Sequence, residues 1–197
     1  MNEAIRILRD EHRSISSVLH GLRELARTAQ DPAVRPDFSV LRAMIYYIDA
    51  YPERLHHPKE NDVLFPRLLM RSPAAGPLVQ QLRDEHEKGA ALVRDLERAL
   101  IAFEVAWPFG GSSFEESVKA YADFHWDHMR REEKVLLPLA EKALTEEDWK
   151  VVAIAFARNE DPIADLREKD FAELFSRIVA LAPAPVGLGR PWRRAAV

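Results

Sequence analysis

Residues 9–12 read Arg-Asp-Glu-His, and residues 83–86 read Arg-Asp-Glu-His again. Each copy precedes a second shared pattern. It runs His56, Glu60, Leu64 and Pro66 in the first half, and His128, Glu132, Leu136 and Pro138 in the second, at identical offsets. An internal repeat of this kind restricts the architecture more than any single motif, because each unit must bury its apolar face against its neighbour. The unit here is a pair of segments, each centred on a histidine.

Periodicity says what the segments are. Ile5, Leu8, Ile15, Leu19, Leu22 and Ala26 step by threes and fours, the inner stripe of a bundle helix, and His12 fills the gap in it. Taken alone, His12 reads as a core histidine satisfied by one hydrogen bond. His20 falls beside the stripe, towards solvent. The second segment carries Phe38, Leu41, Ile45, Ile48 and Pro52, and its stripe continues through His56, Glu60 and Val63. Pro52, Pro58 and Pro66 each remove a helical N–H, which predicts a bent helix with a kink or bulge around the His-Glu pair. His56 and Glu60 lie one turn apart on one face and can reach a common ion. His57 points to a different side of an ideal helix.

The third stripe is Leu78, Leu82, His86, Gly89, Val93, Leu96, Leu100 and Phe103. Gly89 provides either close helix packing or room for a site. The fourth is Phe114, Val118, Tyr121, His125, His128, Glu132, Val135 and Leu139, with Ser112 or Ser113 as the expected N-cap ahead of Glu115 and Glu116. Superposing the halves puts Glu53 opposite His125. These two are extra ligands, partners that orient ligands, or polar residues at the mouth of a site.

The expected architecture is all-α: an antiparallel up-down four-helix bundle over residues 1–143, with helices near 2–29, 37–70, 75–105 and 113–143. Residues 144–182 read as a helical extension packed on the bundle or at a subunit contact. Thr145 to Asp148 form a capping box with Asp in place of Glu. A short helix follows through Trp149, Val152, Ile154 and Phe156, ending near Asn159 and Pro162. A further helix has Phe171, Leu174, Phe175 and Ile178 on its apolar face. Residues 183–197 read as a loose, basic, irregular tail.

Composition narrows the function. The chain has no cysteine, which excludes thiolate metal sites, iron–sulfur clusters and cysteine nucleophiles. A net charge of −4 with both signs interspersed gives no footprint for nucleic acid. No run is long and apolar enough for a membrane span, and no signal peptide is evident, so the expected setting is the cytoplasm. A homodimer is among the assemblies the sequence admits.

Six slots in the inner stripes hold His12, His56, Glu60, His86, His128 and Glu132 instead of apolar residues. Burying two carboxylates among histidines without compensation costs several kcal/mol per charge. Two divalent cations supply the compensation. Imidazole and carboxylate suit iron, zinc, manganese or copper, and two carboxylates for two ions suggest bridging. Glu11, Glu85, Asp10 and Asp84 read as salt-bridge partners on solvated faces, with orientation of ligating histidines as the alternative.

These residues carry a resemblance. Asp10-Glu11-His12, His56-His57-Pro58-Lys59-Glu60 with Leu64-Phe65-Pro66, Asp84-Glu85-His86, and His128 to Glu133 with Leu136 and Pro138 resemble the bacterial hemerythrin-like, HHE cation-binding family. The resemblance implies a non-haem di-iron centre of two iron ions, with His12, His56, His86 and His128 as ligands and Glu60 and Glu132 bridging. Other divalent metals would fit the same set in a purified sample. Oxygen-carrying hemerythrins use five histidines, whereas four are placed here. That points away from oxygen carriage and towards sensing or scavenging of a small diatomic ligand or peroxide. A di-iron oxidase or peroxide-detoxifying enzyme, and a structural metal-binding module, are the alternatives. Relatives that repair iron–sulfur centres carry a cysteine-bearing N-terminal module, and this sequence shows none. Whether His125, Glu53 or His57 adds a further ligand is left open at this level.

Overall fold

Four long amphipathic helices run up and down around one interior. The computed structural model describes residues 2–158 and 168–194. Helix α1 spans Glu3–Thr28 and is capped by Asn2, whose side chain accepts the Ala4 N–H at 3.0 Å. Helix α2 runs continuously over residues 38–71, opened by the Asp37 side chain, which accepts the Ser39 N–H. A 3₁₀ turn, Pro73–Ala75, leads into α3, Gly76–Ala106. Helix α4 covers residues 111–143. Around the ring α1 packs on α2, α2 on α3, α3 on α4 and α4 on α1. The fold is an antiparallel helical bundle with extra C-terminal helices, as the stripes predict.

The start of α4 departs from expectation. Its N-cap is Gly110 at φ 93°, not Ser112 or Ser113, which lie inside the first turn. A Cβ on Gly111 would stand 2.8 Å from the Ala29 carbonyl oxygen. The glycine pair lets the chain turn sharply against the end of α1, where no side chain fits.

The proline-rich helix bends in a definite way. Within α2, π-helical segments occupy Asp49–His56 and Glu60–Leu64, joined by one α-helical turn, His57–Lys59. Helix α4 has one π-helical segment, Glu132–Leu136. The matching segments in the two halves begin at the repeated glutamate: Phe65 N–H bonds to the Glu60 carbonyl, and Leu137 N–H to the Glu132 carbonyl. Pro66 or Pro138 comes next. A proline ring collides with the carbonyl four residues back, and a widened turn relieves that collision while keeping the helix continuous.

The core is in two parts. One cluster includes Ile15, Leu19, Leu22, Leu41, Ile45, Val93, Leu96, Phe103, Phe114 and Tyr121. The other includes Ile5, Leu8, Leu64, Phe65, Leu68, Leu82, Leu136 and Leu137. A layer of buried histidines and glutamates lies between them in the sequence of every long helix.

The C-terminal residues supply part of that core. Helix α5, Glu146–Ala157, carries the predicted Thr145–Asp148 capping box, and Arg71 at the end of α2 donates to Asp148 at 2.7 Å. Its Trp149, Val152 and Phe156 join the second cluster. Helix α6, Glu168–Leu181, packs on α2, with Phe171 edge-on to Tyr51 at 5.2 Å between ring centres. The expected helix end near Asn159 and Pro162 lies outside the described residues. The described part of the tail, residues 183–194, is irregular but not loose. Leu188 N–H bonds to the Val179 carbonyl and Gly189 N–H to that of Ala182, both at 2.8 Å, and Arg35 N–H reaches the Arg193 carbonyl. Among the described residues no helix is long and apolar enough to cross a membrane.

Candidate metal centre

The layer between the two cores contains the six residues singled out from the stripes. His12 comes from α1, His56 and Glu60 from α2, His86 from α3, and His128 and Glu132 from α4. All six are at most 5% exposed, and both glutamates are at 0%. Two groups of converging ligand atoms result. One is His12, His56, Glu60 and Glu132; the other is Glu60, His86, His128 and Glu132. Within each, the ligand atoms lie within 4.8 Å of one another. The glutamates belong to both groups.

The histidines point Nε2 inwards. His12 Nε2 stands 3.2 Å from His56 Nε2 and 3.3 Å from Glu132 Oε2. On the other side, His128 Nε2 is 3.1 Å and His86 Nε2 3.7 Å from Glu132 Oε1. The two oxygens of Glu132 therefore face different histidines, Oε2 towards His12 and Oε1 towards His86 and His128. Glu60 Oε2 lies 3.7 Å from His56 Nε2 and 3.3 Å from His86 Nε2.

The Nδ1 atoms form an outer circuit. His12 Nδ1 bonds to Glu133 of α4 at 3.0 Å; His128 Nδ1 to Glu85 of α3 at 2.9 Å; His86 Nδ1 to Asn61 of α2 at 3.2 Å; and His56 Nδ1 to Glu11 of α1 at 2.6 Å. Each helix thus orients the histidine of a neighbour, and the chain of bonds closes on itself. Lys59 pairs with Glu11, and Arg131 pairs with Glu85. Glu11 and Glu85 are therefore orienting partners rather than partners on solvated faces. Asp10 and Asp84 do lie outward, with Arg6 and Gln80 respectively. Asn61 and Glu133, which sequence reasoning missed, each follow the repeated glutamate by one residue. Lys59 and Arg131 each follow a repeated histidine by three. The signal was in the repeat itself.

His57 is not turned away. It is 4% exposed and forms a third converging group with His86 and His128. Its ring stacks on that of His86, 4.0 Å between centres. Its Nδ1 bonds to Glu53 Oε2 at 3.1 Å, so it is backed by a carboxylate like His12, His56 and His128. The reason is local: His57 starts the single α-turn between two π-helical segments, so the 100° spacing of an ideal helix does not apply there. Glu53 and His125 fall outside the converging groups among the described residues. Glu53 accepts from the Tyr121 hydroxyl at 3.3 Å, and Gly89 accommodates both Glu53 and His125.

The electrostatics of the layer call for positive charge. Burial disfavours the charged form of His12, but Glu132 and Glu133 outweigh it and raise its pKa to about 9. Burial is likewise overridden at His128, where Glu132 lifts the pKa to about 10. Glu132 is held well below the usual carboxylate range despite burial, chiefly by His128. His57 and His125 go the other way: burial and the surrounding histidines keep them neutral. Burial pushes Glu53 up to about 7 against the Tyr121 hydrogen bond. Both oxygens of Glu60 and of Glu132, and Nε2 of His86 and His128, are buried without a hydrogen-bond partner among the described residues. Buried polar atoms are almost always paired, and converging nitrogens and carboxylates left unpaired match the donor set of a first-row transition metal. The residues present fit a two-ion centre.

Residues 3–140 match the hemerythrin HHE cation-binding domain. The chain belongs to that family. No curated protein matches the sequence at a significant level. The HHE domain thus spans the four long helices but for the last residues of α4, and its buried His/Glu cluster is suited to a metal site. The C-terminal helices α5 and α6 lie beyond the matched part, and Phe156 of α5 approaches the centre, with its ring 6.0 Å from that of His56.

Proposed function

We propose that this HHE domain holds a non-haem di-iron centre that binds oxygen, nitric oxide or peroxide. The observation that carries the reading is Glu132, whose Oε2 faces His12 while its Oε1 faces His86 and His128, so that one carboxylate could serve both ions. His12 and His56 would hold one ion, His86 and His128 the other, and Glu60 and Glu132 both. His57 adds a third imidazole on the His86 and His128 side. Five histidines divided three and two would leave an ion beside His12 and His56 the less crowded of the pair. That unequal division supports binding of a small ligand over a purely structural role.

When bound, iron would supply redox chemistry. The protein residues do the rest. The Nδ1 partners fix each imidazole with Nε2 inward and make it a stronger donor. Leu8, Leu64, Leu82 and Leu136 close one side of the layer and exclude water. A surface cleft of about 350 Å³ between α1 and α4, lined by His12, Ser16, His20, Trp126, Met129 and Glu133, provides an approach for small molecules.

The test is purification without oxygen, an iron count per chain, and the visible spectrum before and after adding each ligand. Two irons per chain and a new absorption band on ligand addition are expected. A chain that takes up no iron, or one whose spectrum ignores all three ligands, overturns the proposal.

A further inference from the structure

One turn to either side of the His/Glu layer, the four long helices present very different residues. On one side stand Leu8, Leu64, Leu82 and Leu136, each at 0% exposure. On the other stand Ile15 of α1, Glu53 of α2, Gly89 of α3 and His125 of α4. The first side is a dry lid. The second carries buried polar groups that no candidate ion claims.

His125 is the sharpest case. It is 1% exposed, and neither ring nitrogen has a hydrogen-bond partner among the described residues. Its ring stacks on Tyr121, 4.8 Å between centres at 23°. The Tyr121 hydroxyl donates to Glu53 Oε1, and His125 Nε2 stands 3.9 Å from that same oxygen. Gly89 makes the room: a Cβ there would sit 3.1 Å from Glu53 Oε1 and 3.5 Å from His125 Cε1. The rings of His57 and His128 lie 5.6 and 6.0 Å away, so the group adjoins the centre directly. Burying an imidazole with both nitrogens unmatched is costly, and leucine fills the corresponding place on the other side without that cost. The arrangement suits a partner that arrives with the ligand.

We propose that His125, with Glu53 held by Tyr121, forms a hydrogen-bonding wall for a small hydroperoxide, hydrogen peroxide being the smallest. The inference rests on the di-iron reading above. A neutral imidazole offers one donor and one acceptor nitrogen, and Glu53 in its ionised form offers acceptors only. Hydrogen peroxide brings two O–H donors and two acceptor oxygens, so it can bond to both residues. Nitric oxide and oxygen have no proton to give, so neither can donate to Glu53 or to His125, and each can at most accept a hydrogen bond. The wall therefore favours protic over aprotic ligands. His125 and Glu53 position the ligand; they do not hold the ions.

The experiment uses the iron-loaded full chain, titrated at low temperature with hydrogen peroxide and separately with nitric oxide, with visible absorbance as the readout of binding. His125→Leu should keep its iron, lose about tenfold in peroxide affinity, the size expected for one lost hydrogen bond to a polar ligand, and lose clearly less in nitric oxide affinity, since nitric oxide can only accept. His125→Gln, which keeps a donor and an acceptor, should recover most of the loss. The metal-free His125→Leu protein should melt no lower than wild type, since an unmatched polar group has been removed. Equal peroxide affinity in His125→Leu, or equal losses for both ligands, overturns the wall. If His125→Leu loses iron, Gly89→Ala, which changes no candidate ligand, decides by the same comparison. A wild-type protein that takes iron but binds neither ligand overturns the parent reading, and the wall with it.

Discussion

At the scale of single residues, the centre separates side chains that must bridge from those that only cap. A carboxylate can offer one oxygen to each ion and offset their charge; an imidazole offers one nitrogen and no charge. Glu132→Gln or Glu60→Gln should therefore empty both positions, whereas His125→Ala should keep full metal. Metal analysis of the purified variants checks this, and a fully loaded Glu132→Gln protein would refute the assignment. The Nδ1 partners act one step further out. Glu85→Gln should weaken metal binding by roughly 10-fold or more, while Asp84→Asn, which removes only a surface contact with Gln80, should change nothing. Competition against a coloured chelator distinguishes them. The six inward residues were legible from the stripes, because a polar residue at an apolar slot is visible without coordinates. His57 was not, because its position depends on turns wider than the ideal helix assumed in counting residues. Asn61 and Glu133 were legible in principle, as the residues one place after each repeated glutamate, but a stripe analysis does not look beside the stripe.

At the scale of elements, the long helices followed from periodicity and the starting turn of α4 did not. Apolar spacing reports which face is buried, and it says nothing of the close approach to Ala29 that requires Gly110 and Gly111. The prolines gave bulges in α2, as expected, and the same device recurs once in α4, where Pro138 matches Pro66. Helix α5 has a larger part than its place after the bundle suggests. Phe156 is fully buried in the second core cluster, and Lys59, the partner of Glu11, lies 4.8 Å from its ring centre. Phe156→Ala should lower stability by about 3–5 kcal/mol, as for other buried aromatic truncations. It should also loosen metal retention at the His12 and His56 side. Denaturant melts of the metal-free and loaded forms measure both. A change below about 1 kcal/mol would mean that the pocket around Phe156 collapses readily, or that α5 is only loosely attached.

At the scale of the whole molecule, the pH dependence follows from the two histidines that Glu132 holds charged. Their folded pKa values of about 9 and about 10 lie above the unfolded value of 6.5. In the metal-free protein they contribute stability that is complete below pH 6.5 and is lost as pH rises through 9 to 10. Metal competes with those same protons, so metal affinity should rise over that window, and loading near pH 7 should release protons to the buffer. Thermal midpoints of the metal-free protein across the window, and proton release on metal loading measured in two buffers of different ionisation enthalpy, test the two halves of this statement. A metal-free protein whose midpoint climbs from pH 7 to pH 10 would show that these histidines are neutral in the fold.

The circuit of Nδ1 bonds, His12 to Glu133, His128 to Glu85, His86 to Asn61 and His56 to Glu11, has no free end. A hoop around a barrel behaves differently from four separate nails: no stave can be eased out while the hoop holds. An ion inside it should have no low-energy exit by displacement of a single helix, because swinging any one helix aside severs two links at once. Release should then be timed by the opening of the whole bundle. With excess chelator, the rate of metal loss should be independent of chelator concentration and should match the unfolding rate extrapolated to water. A loss rate that climbs with chelator would mean that the hoop has a gap.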